Sequence, residues 1–228
     1  MRVCINTIMY KRWDVFNKVY AKGVFELIKS FPEIDFEVVI IGSTIKDKEV
    51  ATNHGFTYHD CSNFPIGAKA QYMIEMSRKT NADFYFTLGS DDIMTPKTFE
   101  YCLGYMKQGY EHIAPYDIFY NYKGELYHID GYDVLHPRYL EPLIVGQILS
   151  KSILDRLNWQ LFDNNVMHKG LDKYAAQRIK SANAKSHHYF CIDTNGYIVD
   201  FKTESNISKI TPEKWQYIGK TNEYINYE

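Results

Sequence analysis

The sequence is poor in the features that mark specialised classes of protein. No stretch approaches the roughly 20 consecutive apolar residues of a membrane-spanning helix, so no transmembrane segment is expected. The opening Met1-Arg2-Val3-Cys4-Ile5-Asn6 runs straight into a strand-like pattern, without the apolar core of a secretory signal. Cysteine is scarce: Cys4, Cys61, Cys102 and Cys191 lie too far apart for metal-ligand spacing. Reduced thiols in a cytoplasmic protein are the expectation, which makes the Asn206-Ile207-Ser208 sequon a chance match. An excess of charge is missing too. Lys and Arg total 26 against 28 Asp and Glu, a net −2, far from the basic face of a protein that grips nucleic-acid phosphates. No internal repeat, low-complexity tract or linker interrupts the chain.

What is present is ordinary globular material: 45% apolar and 24% charged residues over 228 positions. Such a chain can bury a core without staples, and one domain over residues 1–228 is expected. Aromatic content is high at 16%, with 20 Tyr and 13 Phe. Strands account for many of these rings, and a sugar or base site would use the rest.

Alternation of strands and helices fills the first hundred residues. Val3 to Met9 reads as a buried strand. Trp13, Phe16, Tyr20, Val24, Leu27 and Phe31 then recur at three- and four-residue steps, predicting a helix that Pro32 ends. Strands are predicted over Phe36–Ile41, Phe56–Cys61 and Asp83–Leu88, with helices over Asp47–Asn53, from Pro65, and from Thr95-Pro96. This is the signature of a parallel sheet covered on both faces. Beyond it the pattern changes. Ile113–Tyr122 and Glu125–Ile129 read as a hairpin about Lys123-Gly124, and helices are expected from Ser150 and near Gly170. Asn195-Gly196, between Tyr189–Ile192 and Tyr197–Phe201, carries the strongest short hairpin signal. The expected fold class is therefore α/β, with a mostly parallel central sheet flanked by helices and a small antiparallel C-terminal part.

The richest segment for chemistry is Phe84-Tyr85-Phe86-Thr87-Leu88-Gly89-Ser90-Asp91-Asp92. An apolar strand delivers two adjacent carboxylates to its carboxyl end, where open α/β sheets bind ligands. Hard oxygens there suit Mg²⁺ or Mn²⁺ bridging to a diphosphate; an Asp-rich turn capping the next helix uses the same residues. Lys69, at a helix start, and Arg12 are cations that either meet a phosphate or face solvent.

In the order and spacing of its motifs the chain resembles the GT-A glycosyltransferases, in particular the inverting family 2. The family's first-strand turn corresponds to Asn6-Thr7-Ile8, its second-strand turn to Ile41-Gly42-Ser43-Thr44, and its Gly-containing helix start to Gly67-Ala68-Lys69-Ala70-Gln71. The acidic motif corresponds to Gly89-Ser90-Asp91-Asp92 with Pro96 beyond. The resemblance covers roughly residues 2–182. It implies a GT-A-like domain with a nucleotide-sugar-binding half at 1–96, an acceptor half at 97–182 and a C-terminal hairpin and tail at 183–228. Two departures stand out. Gly89 replaces the first acid of the motif, leaving the metal to Asp91 and Asp92. Ile41 replaces the acid that meets the nucleobase, a position Asp47 could serve unless it is a solvated helix-start residue.

The resemblance further implies a catalytic base at the start of a late helix. Asp172 fits, with Asp163 in reserve; an N-terminal helix Asp serving the dipole is the alternative. Thr7, Arg12, Ser43, Lys69, Ser90 and Asp91 are the expected nucleotide-sugar contacts. His187 or His188 could add a metal ligand, although neighbouring strand residues face opposite ways. Tyr116, Phe119, Tyr120 and Tyr122 lie where acceptors bind. The implied reaction is metal-dependent transfer from a nucleoside-diphosphate sugar to an acceptor hydroxyl on a glycan, a protein or, least favoured by charge, DNA. A nucleotidyltransferase would need a Gly-rich basic first loop, which Asn6-Thr7-Ile8-Met9-Tyr10 is not; a non-catalytic nucleotide-sugar binder is the rival from another class.

Overall fold

The computed structural model describes residues 1–132, 135–167, 170–203 and 211–225; the 206–208 sequon lies outside them. Two sheets organise the chain. The first contains β1 (Arg2–Ile8), β2 (Asp35–Gly42), β3 (Thr57–Asp60), β4 (Phe84–Thr87), β6 (His112–Pro115), β9 (Ile148–Ser150) and β10 (Ser186–Tyr189), in the order β10-β6-β9-β4-β1-β2-β3. Its pairs are parallel except where β9 inserts antiparallel between β4 and β6. The second contains β5 (Asp92–Met94), β7 (Ile118–Tyr122), β8 (Glu125–Ile129), β11 (Ile198–Lys202) and β12 (Gln216–Lys220), in the order β12-β8-β7-β11-β5. The α/β class and its mostly parallel central sheet are as expected.

Strand alternation divides the core between the faces of the first sheet. Val3, Ile5, Val38, Ile40 and Phe86 point to one side, where they meet Val24 and Leu27 of α2 (Ala21–Ser30) and Phe99, Cys102 and Met106 of α5 (Pro96–Lys107). Cys4, Val39, Ile41 and Tyr85 point to the other. There Ala70, Met73 and Ile74 of α4 (Ile66–Ser77), Ile153 and Leu154 of α6 (Lys151–Arg156), and Ala175 and Ile179 of α7 (Leu171–Ser181) cover them. Ser150 caps α6, its hydroxyl accepting from the Ile153 N–H at 3.3 Å.

Several local expectations change. The single helix expected from Trp13 is α1 (Trp13–Val15), a π-helical turn at Phe16–Tyr20, and α2. The wider turn buries Phe16, Val19 and Tyr20 together, and Phe16 stacks on Tyr20 at 4.7 Å. The short helix α3 (Ile45–Asn53) begins with a capping box between Thr44 and Asp47. The segment 113–122 is divided, β6 going to the first sheet and β7 to the second. Lys123 and Gly124, both at positive φ, do make the β7–β8 turn. The Asn195-Gly196 hairpin is not formed. Residues Cys191–Thr194 coil into a 3₁₀ turn, β10 pairs with β6 in the first sheet, and β11 joins the second between β5 and β7. Tertiary pairing with β5 and β7 overrides the local turn signal.

Candidate functional site

The site forms where one sheet passes into the other. β4 ends in the first sheet, and five residues later Asp92 opens β5 in the second. The turn is pinned by its own carboxylate: the Gly89 N–H donates to Asp92 Oδ2 at 2.6 Å and the Asp92 N–H to the Gly89 carbonyl at 3.1 Å. A Cβ at residue 89 would lie 2.5 Å from that carboxylate oxygen, so the glycine makes the room into which Asp92 folds. On the neighbouring strand, the β5–β11 register sets Asp200 opposite Asp92, and the Phe201 N–H holds the Asp91 carbonyl at 2.9 Å.

Asp91, Asp92 and Asp200 thereby converge, with one oxygen of each lying within 4.8 Å of the others. Desolvation, joined by repulsion from Asp200 and Asp91, raises the Asp92 carboxyl well above its usual range. Burial and the neighbouring Asp91 push Asp200 up to about 7. Two cations answer part of this charge. Arg12 pairs with Asp91 at 2.6 Å. Lys202 pairs with Asp200 and sits 4.0 Å from the Tyr120 ring centroid. Asp200 Oδ1 is buried and finds no hydrogen-bond donor among the described residues. Three hard oxygen donors, a residual negative charge and an unsatisfied buried acceptor fit a Mg²⁺- or Mn²⁺-type cation.

A cavity lies on either side of the cluster. One, of about 520 Å³, is lined by Tyr10, Arg12, Asn63, Phe64, Ser90 and Asp91 among others. The second, of about 600 Å³, is lined by Tyr120, Tyr132, Arg138, Leu171, Asp172 and Asp200 among others. Asp172, in the first turn of α7, accepts from the Tyr132 hydroxyl at 3.3 Å and lies 3.9 Å from Arg138 Nη2. Burial raises its carboxyl; Arg138 and Tyr132 act in the opposite direction.

Structures of S. aureus TarS, a GT-A-like glycosyltransferase, superpose on this architecture. TarS itself matches at a TM-score of 0.51 and 13% identity over 93% of this chain and 37% of that one. The TarS 1–349 structure in complex with UDP-GlcNAc gives 0.51 and 14% over 94% of this chain and 63% of that one. The complex with UDP gives 0.50 and 12%, over 93% and 62%. The fold is GT-A-like. At these identities the likeness concerns the fold, and this chain spans less than two thirds of the TarS chains it matches. No protein-family model and no curated protein matches the sequence.

Within this GT-A-like frame the expected contacts separate. Arg12, Ser90 and Asp91 share the first cavity. Thr7 does not join them: its hydroxyl bonds the Tyr20 hydroxyl at 2.6 Å inside the core, because alternation along β1 turns Ile8, not Thr7, to the cavity. Lys69 does not face solvent and does not line the first cavity. It is fully buried, donating to the Met9 carbonyl at 2.8 Å, Ser43 Oγ at 2.6 Å and Asn63 Oδ1 at 3.1 Å. Desolvation lowers its amine to about 8. Ser43 is held in that same contact. Asp47 is buried rather than solvated, and accepts from the N–H groups of Lys11, Ser43 and Thr44 and from Trp13 Nε1.

His187 and His188 belong elsewhere. His187 stacks on Tyr105 at 3.5 Å, and His188 bonds Tyr116 and His112 on the edge strand β10. The third carboxylate is Asp200, which belongs to none of the motifs in the sequence. Its only local signal is an acid set between apolar neighbours in Ile198-Val199-Asp200-Phe201. Asp163 accepts from the backbone of Asn165 within its own loop. Of the four aromatics expected near an acceptor, Tyr120 lines the second cavity, whereas Phe119 is 1% exposed and packs on Tyr197.

Proposed function

We propose that this chain is a glycosyltransferase that moves a sugar from a nucleoside-diphosphate donor to an acceptor hydroxyl. The observation behind it is the cluster of Asp91, Asp92 and Asp200 between two cavities, one holding Arg12 and Ser90 and the other Asp172. The GT-A-like fold and the UDP and UDP-GlcNAc bound by the TarS structures support the same reading. The cytoplasmic setting belongs to this proposal, as does treating residues 1–228 as one catalytic unit. The four thiols are free, and no described helix is long and apolar enough to cross a membrane.

In this mechanism the donor lies in the first cavity and the acceptor enters the second. The carboxylates of Asp91, Asp92 and Asp200 would hold a divalent cation, whose chemistry is to offset charge on the departing diphosphate. Arg12 adds a second positive group beside Asp91, and Ser90 supplies a hydroxyl on the same wall. Asp172 takes the proton of the acceptor hydroxyl as it attacks the anomeric carbon. Its burial raises it toward the operating range of a general base, while Tyr132 and Arg138 keep it oriented. Attack from the face opposite the diphosphate inverts the anomeric centre.

Asp172→Asn should cut transfer roughly 10²- to 10⁴-fold while nucleoside-diphosphate binding with Mn²⁺ persists. Full transfer by that variant would remove the assigned base. The Arg12–Asp91 ion pair, which occupies one of the three carboxylates, favours a second reading, a non-catalytic nucleotide-sugar binder. Metal-dependent hydrolysis of the donor in the absence of acceptor would exclude it.

A further inference from the structure

The two cations on the acidic cluster are not alike. Lys202 pairs with Asp200 with 9% of its side chain exposed, packs on the Tyr120 ring and lines neither cavity. Arg12 does line the first cavity. Its Nη2 reaches Asp91 Oδ2 at 2.6 Å and the Phe201 carbonyl at 3.5 Å. Lys202 is thus built into the cluster, whereas Arg12 reaches it from the wall of the proposed donor cavity.

The backbone that presents Arg12 is anchored on both sides. Lys11 and Arg12 take φ of 56° and 64°, a left-handed pair that residues other than glycine adopt when their surroundings impose it. Asp47 holds this turn, accepting from the Lys11 N–H at 3.1 Å and from Trp13 Nε1 at 2.7 Å. A change of partner by the guanidinium therefore needs side-chain rotation and no movement of the chain.

Charge decides what such a change does. Three carboxylates meet two cations in the cluster. A divalent ion bound to Asp91 would stand roughly 4 Å from a guanidinium on the same carboxylate, and like charges at that separation repel strongly where water is excluded. An ion that arrives with the doubly charged diphosphate of a sugar nucleotide leaves the total unchanged. The diphosphate also offers Arg12 a charge-assisted contact in exchange for Asp91.

Resting on the nucleotide-sugar reading above, we propose that Arg12 competes with the metal for Asp91 and hands that carboxylate over to it when the donor's diphosphate arrives. Cation and diphosphate then enter as a pair, each favouring the other, and Arg12 turns from the carboxylate to the phosphate oxygens. Arg12 is in this way a positioning residue that sets the order of assembly at the site.

The test is calorimetric titration of Mn²⁺ alone into the full chain, Arg12→Gln and Lys11→Gln. The two variants remove the same charge at adjacent positions, but Lys11 lies over the Tyr10 ring rather than on a carboxylate of the cluster. Arg12→Gln should bind Mn²⁺ roughly 10- to 100-fold more tightly than wild type, and Lys11→Gln within roughly 3-fold of it. Repeating the titration with saturating UDP, CDP, GDP or ADP should raise the wild type's affinity for Mn²⁺ by a larger factor than that of Arg12→Gln, because only the wild type has Arg12 to displace. Arg12→Gln holding Mn²⁺ no more tightly than wild type or than Lys11→Gln, or gaining as much from the diphosphate, would overturn the exchange and leave the transferase reading standing. Failure of all three proteins to bind Mn²⁺, with or without any of the four diphosphates, would overturn both.

Discussion

Lys69 and Lys202 are both withdrawn from water, and their surroundings drive them in opposite directions. Lys69 hydrogen-bonds neutral oxygens, so desolvation outweighs the more distant Asp47 and Asp60 and its amine falls to about 8. Burial pulls Lys202 down as well, but Asp200 and Tyr120 outweigh it and the amine ends above its ordinary value. Burial supplies the cost of the charge, and the neighbours decide whether that cost is answered. The two lysines accordingly do different work. Lys69 is a hydrogen-bond hub that ties the ends of β1, β2 and the β3–α4 loop together. Lys202 is a counter-charge in an acidic cluster that would otherwise repel itself.

The largest effect should come from Lys202→Met, which leaves Asp200 buried beside two other carboxylates. A loss of about 3–5 kcal/mol in urea unfolding is expected. The double variant Lys202→Met with Asp200→Leu should recover most of it, and a double variant no more stable than the single one would mean that Lys202 acts through packing rather than charge. Lys69→Met should cost less, about 1–3 kcal/mol, chiefly through the buried Met9 carbonyl it leaves without a donor, the Ser43 and Asn63 contacts being only part-buried. Equal losses at the two lysines would break the comparison.

The last effect is the one that depends on pH. Between the folded value of about 8 and the ordinary 10.5, the unfolded chain holds a proton on Lys69 that the folded chain has given up. Stability should therefore rise with pH across that window, by up to about 3 kcal/mol for this group alone. The advantage of wild type over Lys69→Met, followed by urea unfolding from pH 7 to 9.5, should widen by that slope as the pH rises. A difference independent of pH would mean that Lys69 keeps an ordinary affinity for its proton.

How much could be read beforehand follows from how local each feature is. The strands around Val3–Ile8 and Phe36–Ile41, the acidic turn at Ser90-Asp91-Asp92 and the start of α7 at Asp172 are each encoded within about ten residues of sequence, and each is where the pattern puts it. The failures are all matters of pairing. Asn195-Gly196 has ideal hairpin chemistry, yet its two flanks find better partners in different sheets. Lys69 reads like any lysine at a helix start until the packing of α4 withdraws it. Asp200 lies more than one hundred residues from Asp92 and becomes its neighbour only through the β5–β11 register.

The sequence by itself determined the alternation of elements, the two-faced core of the central sheet and the delivery of Asp91 and Asp92 to a strand end, because hydrophobic period and turn chemistry act over short spans of chain. Only the tertiary structure decided which carboxylate completes the cluster, which cavity each side chain enters and which lysine keeps its proton. Those outcomes depend on desolvation and on charges brought within a few ångströms, and both exist only once distant segments have packed.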